Sequence, residues 1–115
     1  MDVSQYLEIF IDESAEHLQN LSDGIMVLEK EPDNKDTINE LFRAAHSLKG
    51  MAGTMGFKRM QHLTHDMENV FQEVRSDKIS VDSAMIDLLF INCNLTFTFG
   101  GQYLKDPCLE FLGLL

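Results

Sequence analysis

Several things are scarce in this chain of 115 residues. It has no Trp, two Pro and two Cys. With two Pro and seven Gly it is neither collagen-like nor low-complexity. Cys93 and Cys108 make no disulfide framework, and no CxxC pair suggests a structural metal. Both are read as reduced thiols. Bases are scarce too: nine Lys and Arg stand against 19 Asp and Glu, for a formal net charge of -10. That balance argues against duplex nucleic acid as a partner, because phosphate contacts are made by Lys and Arg. It argues equally against contact with an anionic membrane surface. No apolar run reaches the roughly 20 residues that a membrane-spanning helix needs. The start, Met1 to Ser14, is acidic and amphipathic, unlike a secretory signal, so a cytoplasmic location is expected.

What is present is helix-forming and apolar. Hydrophobic residues make up 44% of the chain, enough for one small core, and the length fits a single domain. Leu7, Ile11, Ser14, Leu18, Leu21, Ile25 and Leu28 recur at spacings of three and four, which is one face of a helix with Ser14 as its polar break. This predicts a first helix over about 4–30, capped by Ser4 and ended by Glu31-Pro32-Asp33-Asn34. Ile38, Leu41, Ala45, Leu48 and Ala52 predict a second helix over about 36–54, with Phe42 beside the stripe. Met60, Leu63, Met67, Val70, Phe71 and Val74 predict a third over about 58–75. A fourth starts near Ser80, a candidate cap, and contains Val81, Met85, Ile86, Leu88, Leu89 and Phe90. From Asn94 to Gly101 the residues alternate like a strand instead. Short connections between helices imply an all-α, antiparallel up-and-down four-helix bundle.

Charge is unevenly spread. Residues 1–40 carry eleven acids and two bases, whereas 41–75 carry three acids and five bases. A locally basic middle suits an anion there. Within it lies Phe42-Arg43-Ala44-Ala45-His46-Ser47-Leu48-Lys49-Gly50. Ala45 belongs to the core stripe, so His46 lies about 100° further round, on the flank of the bundle. Lys49 and Gly50, at i+3 and i+4, share its surface, and Gly53 extends it. Gly in a helix costs up to about 1 kcal/mol relative to Ala, which calls for a reason. An access surface that lets another protein approach the imidazole supplies one; close helix packing is the other reading.

On the third helix, His65 and Glu68 are spaced i, i+3 on the flank of the apolar face. Beside His46, a carboxylate would take the N–H of one imidazole nitrogen and leave the other lone pair toward solvent. This is the orienting logic of hydrolytic triads, with the histidine itself as nucleophile and Lys49 offsetting charge on phosphoryl oxygens. Taken alone, a flank histidine is an ordinary surface residue, which is the reading given to His17 and His62. His62, His65 and Glu68 lack the extra carboxylates of a di-iron bundle, so no metal site is expected.

The run His46-Ser47-Leu48-Lys49-Gly50 resembles the H-x-x-K-G signature of histidine-containing phosphotransfer (Hpt) domains. The longer stretch from Phe42 through Gly53-Thr54-Met55-Gly56-Phe57 is similar to the phospho-accepting domains at the N-terminus of CheA-type chemotaxis histidine kinases. Tyr6 to Glu16 and Leu63 to Asn69 share the likeness, which covers residues 1–91. It implies a four- or five-helix bundle with His46 phosphorylated by a separate ATP-binding kinase domain, and Lys49, His65 and Glu68 in a hydrogen-bond network around it. It also implies onward transfer to receiver aspartates on the response regulators CheY and CheB. ATP and Mg²⁺ would belong to the kinase domain, with no cofactor held here. Residues 92–115 depart from the family pattern and form an atypical C-terminal segment. A helical adaptor that only binds a partner is the alternative, and it leaves the glycines beside a His–Lys pair without a reason.

Overall fold

The computed structural model describes the backbone of residues 3–105 and the side chains of 5–96. Four α-helices follow in order: α1 (Val3–Lys30), α2 (Lys35–Met55), α3 (Lys58–Arg75) and α4 (Ser83–Lys105). Each packs on its chain neighbours, and α4 closes the ring against α1; no diagonal pair meets among the described residues. This is the up-and-down bundle that short connections dictate.

The helix ends follow local chemistry. Asn34 caps α2, its side chain accepting a 3.1 Å bond from the Thr37 amide. Gly56 ends α2 at φ 77°, in the left-handed region that glycine enters without a Cβ penalty. The amide of Phe57 then bonds back to Ala52 O at 2.9 Å, and the Phe57 side chain turns into the core. Asp77 ends the α3 turn at φ 60° and forms an ion pair with Lys35 across the bundle end.

The core is a column of Leu21, Ile25, Leu28, Leu41, Ala45, Leu48, Met60, Met67 and Phe71, all fully buried. Near the start of α1 the expected face is rotated. Phe10 is buried, with its ring edge-on to Phe57 at 5.1 Å, whereas Leu7 and Ile11 are only half-buried. An aromatic contact outweighs the stripe there. Ser4 lies inside α1 and does not precede it.

Two expectations for α4 fail. Its cap is Asp82, which accepts a 2.8 Å bond from the Met85 amide, and not Ser80. The strand-like stretch from Asn94 is helical, because α4 continues without a break to Lys105. Ile86, Leu89, Cys93 and Thr96 carry its buried face, at helical spacing, across the point where the sequence pattern changes. Thr96 satisfies its hydroxyl on Asn92 O at 2.9 Å, within the helix. Burial pushes the Cys93 thiol pKa up and keeps it protonated; Cys108, Phe111 and the rest of 106–115 lie outside the described residues. No helix among the described residues is long and apolar enough to cross a membrane.

Candidate functional site

The core stripe of α2 fixes where His46 points. With Ala45 and Leu48 fully buried, the intervening turn leaves His46 facing out, its side chain 62% exposed. On α3 the buried Thr64, Met67 and Phe71 play the same part. They place Glu68, one step past Met67, on the flank shared with α2, and its side chain is only 13% exposed.

Glu68 bridges two residues of α2. Its Oε1 lies 3.2 Å from His46 Nδ1 and its Oε2 lies 2.8 Å from Lys49 Nζ. Burial pulls the Glu68 pKa up, but hydrogen bonds and charge from Lys49 and then His46 outweigh it. The net shift is downward, so the carboxylate stays ionised. An ionised carboxylate only accepts, so the proton of the neutral imidazole is assigned to Nδ1 and the lone pair to Nε2. Nε2 has no hydrogen-bond partner among the described residues. Lys49, expected to face phosphoryl oxygens, thus holds the carboxylate that orients the histidine.

The glycines divide by task. A Cβ built on Gly50 meets nothing within 4 Å, so the surface one turn past His46 is open. At Gly53 a Cβ would come 2.7 Å from Nε2 of Gln61, the tip of an exposed and flexible side chain that can swing aside. Gly24, which the periodicity had not singled out, serves the close approach of α1 and α2, where a Cβ would meet Cδ2 of the buried Leu41 at 2.6 Å.

His65, expected in the network, forms no side-chain hydrogen bond or ion pair among the described residues. It is exposed, one turn before Glu68, and lines a recess with Lys49, Lys58, Gln61 and His62. On the other flank, His46 and Gly50 border an open groove of about 550 Å³ between α1 and α2, walled by Tyr6, Ile9, Phe10 and Met51. Two contacts at the site, one of them made by a residue of the motif itself, escaped the sequence reading. The Phe42 ring lies nearly parallel to the His46 imidazole, at 15° with centroids 6.3 Å apart. The Arg75 guanidinium sits 4.4 Å from the Phe42 centroid. The i−4 spacing of Phe42 was a usable signal; nothing in sequence joins Arg75 to either ring. No group of three or more His, Cys, Asp or Glu side chains suited to a metal ion occurs among the described residues.

The Hpt domain family model matches residues 5–104. The chain belongs to the Hpt domain family. This Hpt domain is 48% identical over 90 residues to the chemotaxis protein CheA of Bacillus subtilis, a match that covers 78% of this chain and 13% of that protein. It is thus much shorter than the curated relatives it matches. Among solved structures it superimposes on the CheA phosphotransferase domain from Thermotoga maritima with a TM-score of 0.83, at 41% identity, covering 89% of this chain and 97% of that one. A histidine phosphotransfer domain of CheA solved in solution gives a TM-score of 0.86 at 40% identity, with coverage of 91% and 79%. The four-helix bundle and the place of this chain among CheA phosphotransfer domains are therefore established.

Proposed function

We propose that His46 is the phosphoryl carrier of this Hpt domain, accepting the group from ATP bound to a CheA-type kinase domain and passing it to a receiver aspartate. The observation that carries the reading is the asymmetry of its imidazole. Nδ1 is held by an ionised, largely buried Glu68, whereas Nε2, unpartnered among the described residues, lies beside the open surface at Gly50.

In the first step the Nε2 lone pair attacks the γ-phosphorus, a new N–P bond forms, and the P–O bond to ADP breaks. The proton on Nδ1 stays in place, and the Glu68 carboxylate offsets the positive charge that develops on the ring. Lys49 keeps that carboxylate ionised. In the second step a carboxylate oxygen of the receiver attacks phosphorus, the N–P bond breaks, and its electron pair returns to Nε2. Mg²⁺ is supplied by the partners, which also bring phosphorus into line with Nε2. CheY and CheB are the receivers this reading names, and the cytoplasm is where they would meet.

The test is intact mass after mixing the domain with ATP, Mg²⁺ and a CheA-type catalytic core, beside a His46→Gln control. The expected outcome is an acid-labile gain of one phosphoryl group, absent from the control and drained by added CheY. No gain, with the core shown active on another substrate, would sink the carrier role.

A further inference from the structure

The bond from Nδ1 to Glu68 fixes one atom of the His46 ring but not its plane. Histidine χ2 is a broad torsion, and a single 3.2 Å bond tolerates a wide range of tilt. An imidazole that is 62% exposed would sample that range unless something else restrained it. The lone pair on Nε2 lies in the ring plane, so tilt decides where it aims.

The restraint is one turn back on the same helix. Phe42 is half-buried against the core, and its ring lies within 15° of parallel to the imidazole, at the separation of an offset aromatic pair. Phe42 is in turn covered by Arg75 from the last turn of α3, at a distance suited to a cation–π contact. Arg75 forms no ion pair among the described residues, so its place over the ring is not a by-product of a carboxylate nearby.

We infer that Phe42, held by Arg75, is a positioning residue that sets the plane of the His46 imidazole and hence the line of attack on phosphorus. Glu68 selects which nitrogen reacts; Phe42 selects its direction. The inference rests on His46 being the carrier. In-line transfer is sensitive to such aim, because a small misplacement of a reacting atom costs rate even when binding is intact.

Initial rates of phosphorylation by a CheA-type core, with the domain as varied substrate, separate the possibilities. Phe42→Leu keeps apolar bulk and loses the ring; the expected result is a kcat lower by about five- to tenfold with KM within about twofold. Phe42→Tyr keeps the ring and is expected to restore kcat to within about twofold of wild type. Arg75→Met, at an exposed helix end, is expected to lower kcat by about two- to threefold, and it keeps the test alive if Phe42→Leu fails to fold. An unchanged kcat in Phe42→Leu, or an equal fall in Phe42→Tyr, would overturn the inference while leaving the carrier role standing. No phosphoryl gain on the wild-type domain would remove both.

Discussion

Helices α3 and α4 bury comparable faces in the same bundle, yet they differ sharply in what surrounds those faces. In α3, six charged residues lie between and around Met60, Met67, Phe71 and Val74, so the period of the buried side stands out. In α4, Asp87 and Lys105 are the only charges, and Leu88, Ile91 and Leu95 are apolar and exposed. A helix apolar on several sides shows no clear period, and an alternation such as Asn94-Leu95-Thr96-Phe97-Thr98-Phe99 then reads as a strand. Amphipathicity becomes legible through the polar residues, not through the apolar ones. The same contrast separates the functions of the two helices. The charged flank of α3 supplies Glu68 to the site; α4 touches α1 and α3 and, among the described residues, lends core to the bundle.

The comparison can be broken most directly at Cys93. If α4 packs through this region as α3 does through Met67, Cys93→Asp buries an unpaired carboxylate and destabilises the domain by about 3 kcal/mol or more, measured by urea unfolding. A change below about 0.5 kcal/mol would mean that 92–96 is peripheral to the core. A smaller loss, near 1 kcal/mol, is the order expected for Thr96→Val, a polar core residue exchanged for an isostere that gives up its bond to Asn92.

On the α3 side, pH sharpens the contrast. The Glu68 pKa is lowered in the folded state, so its contribution to stability is present above the ordinary carboxylate range. It is lost as pH falls through the lowered value. Thermal unfolding between about pH 6 and pH 3 should therefore show a steeper decline in wild type than in Glu68→Gln, and parallel curves would refute the coupling. The same variant should accept phosphoryl groups more slowly at neutral pH, because a neutral amide holds Nδ1–H less firmly and offsets no charge.

Gly50 and Gly53 make a finer comparison within α2. Gly50→Ala meets open space and is expected to gain up to about 1 kcal/mol from helix propensity, measured by denaturant midpoint, while slowing transfer by adding bulk beside Nε2. Gly53→Ala gains less, because Gln61 must move aside. Equal gains would mean that the Gln61 side chain yields at no cost. The smallest effect is expected at Ser14, whose buried hydroxyl has no partner among the described residues. Ser14→Ala should raise stability by about 0.5 kcal/mol.

The sequence by itself determined the helical class, the spans of α1 to α3 to within a residue or two, and the choice of His46 with Lys49 and Glu68 as the chemical cluster. It could do so because period, caps and i, i+3 spacing are local properties, each written within a few turns of chain. What only the tertiary structure decided is less local. It showed that Lys49 faces Glu68, that Gly24 admits a neighbouring helix, and that His65 lines a recess with Lys49 and makes no side-chain bond to His46. It also showed that Arg75 covers Phe42, and that α4 persists as a helix through residues that alternate. Each of these depends on the rotation and separation of two helices. That geometry is set by the summed packing of the core, and no single stretch of sequence encodes it.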